Sequence, residues 1–485
     1  MDMAATAPSG TSAPDAPAEP ASSRLRDRAA ALRRPGADPY WLAAVLFAAY
    51  AALSVSRHRR MEAMSWDLGI FEQAIRAYSR FQAPIADLKG PGANILGDHF
   101  SPVTALLGPL YRIFPGPITL LVAQAALFAL SAVPVTRAAA HLLGRGRGLL
   151  IGIAYGLSWG VQRAVDFDFH EICFAVPLLA FALEAVVRER WYAAMLWAAP
   201  LVFVKEDMGA TVAAIGAVIL IRTWRRRETR VPLAAIALTA FGLIASALAL
   251  GLVIPGFNGD GDYAYWQKVD GADSDGTIPF DTALRTLAWI LLPTTGLLAL
   301  RSPLLLAAVP TIGWRFVSHE EFYWGTDWHY NAVLMPVVFL ALVDALHRSR
   351  SSRRGWLRSY SGQLPTAVAA AALALTSSLP LYSLTVPDTY RKPARVAAAE
   401  RLLARIPDGA TVEANVGPIS RLTSRTRVFW VGDTRGVVPH YIALQEDGPR
   451  TARHMIDYAR QLHPDADYRF VGTAGNVYVL ELTTD

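Results

Sequence analysis

Asp67 is the first residue whose type and position suggest chemistry. It lies in the segment 66–69, shortly after the first long apolar run of the chain. A carboxylate there can act as a general base, or as an oxygen ligand of a divalent metal such as Mg²⁺ or Mn²⁺. The alternative is a helix N-cap, because Asp67 precedes Leu68, Phe71 and Ile75, which have helical spacing. The residues alone leave both interpretations open.

The densest acidic cluster of the chain consists of Asp166, Asp168, His170 and Glu171. In an extended chain, the alternation with phenylalanines would put Asp166, Asp168 and His170 on one side. Such a group suits a hard cation held by oxygens, or a zinc-type ion if the imidazole takes part. The alternative is a solvated loop with aromatic side chains anchored at a membrane interface. The candidate metal ligands are Asp166 and Asp168.

Two cations are suited to bind a phosphate group. Lys205 begins the run Lys205-Glu206-Asp207, which lies between two short apolar runs, so we expect these charges at a cavity wall. Lys205 could bind phosphate as a point charge, or it could neutralise Glu206. Arg315 lies within an apolar run, where it could hold a phosphate through two parallel hydrogen bonds. The alternative for Arg315 is a side chain that extends to the membrane surface.

Further ionisable residues lie near the ends of apolar runs, often beside aromatic residues. Asp98 and His99 follow a Gly-Pro-Gly stretch, and histidine can serve as acid, base or ligand near neutral pH. Interfacial hydrogen bonding is the alternative for both residues. The aromatic residues suit stacking on sugar faces, but they also mark membrane interfaces. The candidates for lining a polar cavity are Asp98, His99, His170, Glu171, Glu206, Asp207, His319, Glu320, Asp327 and His329.

The composition indicates an integral membrane protein. The chain has 485 residues, of which 53% are hydrophobic and 18% charged, whereas soluble domains have about 25% charged residues. Several apolar runs reach the roughly 20 residues that a membrane-spanning helix needs. The net charge of +6 comes largely from arginines in short loops between apolar runs, where helix orientation explains them. We therefore exclude nucleic acid as a partner and expect membrane lipid instead.

The arginine clusters predict how the chain crosses the membrane. With the basic N-terminal segment in the cytoplasm, the clusters at 145–147, 188–190, 222–230 and 348–358 fall on the cytoplasmic side. This arrangement gives about eleven spans in a bacterial plasma membrane. Only Arg57, Arg59 and Arg60 oppose it. The candidate site residues then fall on the outer side, where we expect a polar cavity.

The pattern changes near residue 389, where a small α/β domain begins. Short β-branched and aromatic runs alternate with two helical segments, which indicates a domain large enough to fold alone. We expect this domain over the mouth of the cavity. The predicted fold is mostly α, a polytopic transmembrane helix bundle with a small C-terminal α/β soluble domain. The predicted domains are a disordered cytoplasmic tail (1–38), a helix bundle (39–387) and an extracytoplasmic domain (388–485).

Several motifs together resemble an uncharacterised bacterial family of multi-spanning membrane proteins that carries a domain of unknown function. The matching segments are 66–73, 98–102, 168–171, 205–207 and 329–331. That family more distantly resembles the GT-C class of membrane glycosyltransferases, which take sugar from a polyprenyl-phosphate carrier. Those enzymes have many spans, an acidic residue in the first outer loop and often a soluble C-terminal domain outside.

The resemblance implies a GT-C-like bundle in which Asp67 is the catalytic base and Lys205 and Arg315 bind the donor phosphate. Many GT-C enzymes have two close carboxylates in the first outer loop, whereas only Glu62 and Glu72 lie near Asp67 in the sequence. Whether the protein uses a divalent metal, Mg or Mn, therefore stays open. The alternative to an enzyme is a transporter, or a lipid- or glycan-binding membrane protein without catalysis. The sequence indicates no oligomeric state.

Overall fold

The computed structural model describes residues 35–224, 230–270 and 276–483. The chain divides into two units, residues 1–38 and 39–485. In the first unit the described part contains a short 3₁₀ turn, Pro35–Ala37. The predicted disordered tail, for residues 1–34, and three arginines of the cluster at 222–230 lie outside the described residues.

Helices form most of the described chain before the C-terminal sheet. Their sequences are rich in Ala and Leu, which favour helix, and in apolar residues on most faces, which suits burial or contact with lipid. The helices are α1 (Asp38–Arg59), α2 (Trp66–Ser79), α3 (Gly108–Ile113), α4 (Pro117–Leu143), α5 (Arg145–Gly156), α6 (Trp159–Phe167), α7 (Ala175–Val187), α8 (Trp191–Ala198), α9 (Met208–Thr223), α10 (Arg230–Leu248), α11 (Ile254–Phe257), α12 (Gln267–Asp270), α13 (Phe280–Thr295), α14 (Val309–Val317), α15 (Leu334–Ser349) and α16 (Gly355–Thr376).

Three stretches of the described chain are long and apolar enough to cross a membrane. They are α1, α4 and the segment Arg230–Phe257, with 22, 27 and 28 residues. The last of these joins α10 to α11 through a π-helical turn. Shorter apolar helices, including α9, pack beside them. The result is a mostly helical, polytopic bundle, as the composition predicts.

The helix α15 forms the centre of the bundle. All of its residues from Leu334 to Leu346 are buried, and it packs on α4 and α7. With 16 residues it is about 24 Å long, which is shorter than the roughly 30 Å of a bilayer core. Because neighbouring helices surround it, its length is not set by lipid contact.

Some predicted spans are interrupted in the structure. One of them, at 148–159, is divided, since α5 ends at Gly156 and α6 begins at Trp159. Another, at 191–204, consists of α8 followed by the 3₁₀ segment Ala199–Phe203. Pro200 lies in the first turn of that segment, and its missing N–H prevents a continuous α-helix. These breaks lie next to segments that line a cavity.

Arginines gather at the end of the bundle where α4 terminates, which we call the arginine end. Arg350 donates to the carbonyl oxygens of Leu142 and Leu143, at 2.8 and 2.6 Å. Arg222 lies 2.6 Å from a carboxylate oxygen of the buried Asp344. The predicted clusters from α4, α9 and α15 thus meet at one end.

The C-terminal region forms a five-stranded sheet in the order β2-β1-β3-β5-β4. The strand β1 is parallel to both neighbours, and the other pairs are antiparallel. The predicted mostly helical class with a small C-terminal sheet is confirmed. The elements are α17 (Ala394–Leu403), β1 (Thr411–Ala414), α18 (Ile419–Leu422), β2 (Arg427–Trp430), β3 (Tyr441–Gln445), α19 (Ala452–Leu462), β4 (Tyr468–Ala474) and β5 (Val477–Leu482).

The sheet region packs on α2. Gln73 donates from its side chain to the carbonyl oxygen of Val428 at 2.9 Å. Gly69 lies so close to α18 that an added β-carbon would be 2.3 Å from Ile419. Only glycine therefore permits this contact. Because Asp67 lies in the first turn of α2, the sheet region helps to fix its position.

Candidate active site

A cavity of about 670 Å³ lies at the end of the bundle that carries α2. Its volume falls within the roughly 300–1,000 Å³ of small-molecule sites. The lining comes from residues between 64 and 330, so the C-terminal sheet lies beside α2 instead of forming the wall of the cavity described here. Of the predicted site residues, the cavity brings together Asp67, His99, His170, Lys205, Glu206, Asp207, Glu320 and His329.

Asp67 faces the cavity from the first turn of α2. Ser65 occupies the N-cap position, and its own side chain makes no capping hydrogen bond. The N-cap interpretation of Asp67 is therefore wrong. Burial raises the pKa of Asp67, Glu171 raises it further, and His170 opposes the rise. A carboxylate with a raised pKa is suited to accept a proton at neutral pH.

Two imidazoles lie beside Asp67. The rings of His170 and His329 are stacked, with centroids 3.7 Å apart. His329 is 4% exposed, and neither ring nitrogen has a hydrogen-bond partner among the described residues. Burial and the neighbouring His170 hold the pKa of His329 well below its ordinary value. Its ring is therefore neutral, with a lone pair available to a ligand.

Asp67, His170 and His329, which we call the Asp–His–His group, have the donor set of a metal site. One potential ligand atom from each residue lies within 4.8 Å of the others. Two imidazole nitrogens and one carboxylate suit zinc and similar transition metals, whereas Mg²⁺ and Mn²⁺ prefer oxygen ligands. The donors thus fit a zinc-type ion better than the Mg or Mn that the sequence left open.

Glu171 lies behind His170. Its Oε2 is 2.7 Å from Nδ1 of His170, and its Oε1 is 3.3 Å from Nζ of Lys205. Burial raises the pKa of Glu171, but His170 and Lys205 outweigh burial and hold that pKa below its usual range. A carboxylate on one ring nitrogen leaves the other nitrogen to face a ligand. Lys205 thus has its ion pair with Glu171, and not with Glu206.

Glu206 is the centre of a second polar cluster. Its Oε1 is 3.2 Å from Nδ1 of His99 and accepts a hydrogen bond from the Tyr263 hydroxyl at 2.9 Å. The Tyr265 hydroxyl lies 3.0 Å from Nε2 of His99. Burial raises the pKa of Glu206, but His99 and Lys205 lower it to about 2. Glu206 is thus a charged acceptor that holds His99 and the 263–265 segment at the cavity.

Asp166 and Asp168, the predicted metal ligands, do not join the Asp–His–His group. The helix α6 continues through Phe167, so Asp166 is helical, and only the part of the predicted alternating segment from Asp168 to His170 is extended. Asp166 forms an ion pair with Arg57 at 3.0 Å, which also gives that arginine a partner on the cavity side. Asp168 is buried outside the cavity lining. Of the predicted alternating set, His170 alone belongs to the group.

A family model described as a predicted membrane protein, DUF2079, matches residues 57–272 and 275–463. The chain belongs to the DUF2079 family. This match covers most of the bundle and much of the C-terminal sheet region, and it confirms the resemblance noted from the motifs. No curated protein matches the chain.

Solved structures of ArnT from Cupriavidus metallidurans are similar to the DUF2079 chain. The structure with bound undecaprenyl phosphate has a TM-score of 0.57 and 13% identity, and the match covers 90% of this chain and 97% of that one. The apo structure has a TM-score of 0.55 with the same identity and coverage. At this identity the likeness shows the fold alone, which is a GT-C-like polytopic bundle.

Arg315 of the DUF2079 chain lies outside the cavity lining and is fully buried. Its guanidinium donates to the carbonyl oxygens of Tyr323 and Gly325, at 2.7 and 2.8 Å, and to the side-chain oxygen of Asn331 at 2.9 Å. These bonds fold the loop 318–331 over α14. The geometry therefore gives Arg315 a structural role in this loop, and its contact with donor phosphate stays a prediction.

Three other predicted residues lie outside the cavity lining of the DUF2079 chain. Asp98 forms an ion pair with Lys89 at 3.0 Å. His319 donates its backbone N–H to a carbonyl of α12, so the residue connects two loops. Asp327 is exposed, and its nearest cation is Arg163 at 3.8 Å. Asp98 orients a residue of the cavity, while Asp327 lies on the surface.

Two lysines of the cavity were missed by reasoning from motifs. Of the 46 basic residues only four are lysines, and Lys89, Lys205 and Lys268 line the cavity. Nζ of Lys268 lies 3.3 Å from a carboxylate oxygen of Glu320 and 3.3 Å from the Tyr323 hydroxyl. The signal was the scarcity of lysine in an arginine-rich chain, since a compact ammonium differs chemically from guanidinium.

Proposed function

We propose that this DUF2079 protein is a glycosyltransferase that moves a sugar from a polyprenyl-phosphate donor to an acceptor hydroxyl. The cavity carries this proposal, because it holds Asp67, a carboxylate with a raised pKa, together with Lys89, Lys205 and Lys268. ArnT, which has a similar fold, was solved with bound undecaprenyl phosphate. We expect the DUF2079 cavity to bind a lipid of this class.

In the proposed reaction the acceptor oxygen forms a bond to the anomeric carbon of the sugar. The bond from that carbon to the phosphate oxygen breaks, and polyprenyl phosphate leaves with the electron pair. The acceptor proton passes to Asp67, whose raised pKa suits a general base. Lys205 and Lys268 lie where they can stabilise the charge that develops on the phosphate.

The walls of the cavity suit the sugar. Aromatic rings offer flat faces on which the apolar side of a sugar can stack, and polar tips that accept or donate hydrogen bonds. The aromatic side chains of the cavity surround its charged residues instead of forming a separate apolar pocket. The aromatic residues that line the cavity are Trp66, Phe167, Tyr263, Tyr265, Trp266, Trp314, Phe322, Tyr323, Trp328 and Tyr330.

The lipid chain requires a path from the membrane. Leu250 and Val317 line the cavity, and Val317 is 60% exposed. Leu250 belongs to the apolar segment Arg230–Phe257, whose most apolar stretch of 18 residues is only 17% buried inside the protein. This segment is therefore available to contact lipid, so we place the entry of the polyprenyl chain beside it.

The proposed location is the plasma membrane of a bacterium, with the N-terminus in the cytoplasm. The arginine end then faces the cytoplasm, as the preference of arginine for that side requires. The cavity and the C-terminal sheet region lie on the outer side in this orientation. Sugar transfer would take place at that outer face.

The proposed cofactor is a divalent ion held by the Asp–His–His group. The group has a neutral imidazole without partners among the described residues, His329, and a second imidazole oriented by Glu171. When bound, the ion would supply positive charge beside the phosphate. With the ion bound, Asp67 would be its ligand and the ion would lower the pKa of that carboxylate, so Asp67 would accept the acceptor proton only where the ion is absent.

The test compares Asp67→Asn with wild type in lipid nanodiscs, with a panel of radiolabelled polyprenyl-phosphate sugars and acceptors. Loss of the base should lower the transfer rate by about 10²–10⁴-fold without preventing donor binding. Asp327→Asn, at an exposed acid outside the cavity lining, is the matched control and should keep full activity. Wild-type transfer in Asp67→Asn would refute the role of Asp67.

Two other results would replace the proposed function. Donor binding by wild type without transfer to any acceptor would indicate a lipid- or glycan-binding protein. Movement of solute across sealed vesicles that depends on the same acidic residues would indicate a transporter.

A further inference from the structure

A second cavity, of about 500 Å³, lies at the other end of α2 from Asp67. Its lining includes three arginines: Arg76 on α2, Arg80 just after α2, and Arg112 on α3. We call this the arginine pocket. Its remaining lining residues are two serines, two aromatic residues and one proline: Ser79, Phe81, Tyr111, Pro115 and Ser424. No carboxylate lines the pocket within the described residues, so its charge is positive.

Two of these arginines lack an acidic partner in the described chain. Arg80 and Arg112 are exposed and form no ion pair there. Arg76 is partly buried, and it donates to the carbonyl oxygens of Thr423 and Thr426 at 2.6 and 2.9 Å. Both acceptors belong to the C-terminal region, so these bonds fix the position of Arg76. Because carbonyl oxygens are neutral, the bonds do not neutralise its positive charge.

The carboxyl group nearest to Arg76 on α2 does not supply a full negative charge. Glu72 is buried, accepts a hydrogen bond from the Tyr111 hydroxyl at 3.0 Å, and is also bonded to the Thr423 hydroxyl. Burial raises the pKa of Glu72 to about 7, so near neutral pH it is only partly ionised. Asp87, the next acid along the chain, is paired with Arg427 at 2.7 Å.

The rim of the arginine pocket is apolar and exposed. Phe81 is 90% exposed, Ile113 is 69% exposed and Phe114 is 61% exposed. The Arg112 guanidinium lies 5.9 Å from the centre of the Phe81 ring. The long apolar helix α4 begins at Pro117, a few residues after Phe114. This connection places the rim at the level where the chain enters the membrane.

Unpaired arginines beside an apolar rim match the chemistry of a phospholipid. The guanidinium fork binds phosphate oxygens through two parallel hydrogen bonds. Exposed Phe and Ile side chains insert among acyl chains, whereas a free phosphate ion in water would gain nothing from them. The arginine pocket lies at the opposite end of the bundle from the arginine end. The usual preference of arginine for the cytoplasmic side of the membrane therefore does not explain the arginines of the pocket.

We propose that the arginine pocket binds the phosphate headgroup of an anionic membrane phospholipid, with the acyl chains over Phe81, Ile113 and Phe114. This site is separate from the cavity of Asp67, although α2 connects the two. The lipid would hold α2 and α3 against the membrane surface and so stabilise the helix that carries Asp67. The inference stands whether or not the protein transfers sugar.

The test uses the full chain in nanodiscs of phosphatidylcholine alone, or of phosphatidylcholine with phosphatidylglycerol. Wild type should melt at a higher temperature with phosphatidylglycerol, because a ligand of the folded state raises the apparent Tm. Native mass spectrometry should also detect retained phosphatidylglycerol. Both effects should be lost in the double variant Arg80→Gln/Arg112→Gln.

The control is Arg453→Gln, which removes a highly exposed arginine from α19 and should keep both effects. An equal Tm in phosphatidylcholine for wild type and the double variant shows that the substitutions leave the fold intact. Phosphatidylglycerol effects that persist in the double variant, or that are absent from wild type, would overturn the proposal. Inorganic phosphate that reproduces the Tm rise in phosphatidylcholine alone would also overturn it, because it would identify a free-phosphate site.

Discussion

The two ends of the helix bundle differ in how their buried polar groups are bonded. At the arginine end, the buried Asp344 pairs with Arg222 and Arg348 and accepts a hydrogen bond from Ser302. At the cavity end, His329 is equally buried, but its ring nitrogens have no hydrogen-bond partner among the described residues. The arginine end pairs its buried carboxylate with residues of the protein, whereas the cavity end leaves the imidazole of His329 for a ligand.

This difference distinguishes structural charge from functional charge. An unsatisfied buried polar group costs about 1–3 kcal/mol, so such groups persist where a ligand completes their bonding. The cavity end also holds Asp67 and Asp207 with pKa values raised by burial. Charged groups placed in this costly way are typical of active sites. The arginine end shows that the same chain can pair a buried carboxylate fully.

The largest expected effect compares one substitution at both ends. Asp344→Ala should destabilise the protein by about 1–3 kcal/mol, because it leaves the half-buried Arg222 without its carboxylate partner. Asp67→Ala should leave stability unchanged or raise it, since it removes a carboxylate whose charge burial disfavours. Denaturant unfolding of both variants in the same lipid would measure this. Equal losses would contradict the distinction between the two ends.

The second prediction concerns the ligand that completes the cavity end. Protein purified without a histidine tag and equilibrated with zinc should retain the ion, and His170→Ala or His329→Ala should lose it. Glu171→Gln, which changes only the group behind His170, should weaken affinity by roughly 10–100-fold. Elemental analysis after dialysis measures the retained zinc. His319→Ala, outside the cavity lining, is the control, and equal zinc in all variants would contradict the site.

The elements of the fold were largely predictable from local patterns. The short β-branched and aromatic runs that predicted the C-terminal α/β domain include β2, Arg427–Trp430, and the hairpin of β4 and β5. Such patterns depend on neighbouring residues only. The break between α5 and α6 was not predicted, because a run of apolar residues continues across it. Helix breaks in a bundle depend on which groups other helices can satisfy.

Part of the site was also predictable from local sequence motifs. The predicted topology placed Asp67, His170 and His329 on the same side of the membrane, and the cavity brings these residues together. Arg315 lies outside the cavity lining, because its donors bind carbonyl oxygens of a loop whose fold no local pattern shows. Lys268 was missed because its segment has no periodicity that places it at a cavity.

The third prediction tests the lysines, which the structure added to the site. Lys268→Gln should weaken binding of a polyprenyl-phosphate sugar by about 10–100-fold, since a hydrogen bond to a charged group contributes about 1.5–3 kcal/mol. Lys392→Gln is the matched control, because Lys392 is the one remaining lysine of the sequence and lies in an ion pair with Glu400 outside the cavity lining. Calorimetric titration in detergent measures both affinities. Equal weakening by the two substitutions would contradict a phosphate site at Lys268.

The smallest effect concerns Asp207 and pH. Burial raises the pKa of Asp207 to about 6, although Lys205 opposes the rise, whereas an unfolded chain has a value near 3.9. The folded state therefore binds the proton more tightly, so this residue costs stability as pH rises from about 4 to about 6. Asp207→Asn should then stabilise the protein by roughly 1–2 kcal/mol at pH 7 and by almost nothing at pH 4. Asp344→Asn should destabilise at pH 7, so the same substitution would have opposite signs at the two ends. Unfolding curves at both pH values measure this, and a destabilising Asp207→Asn at pH 7 would place Asp207 with the fully paired charges instead.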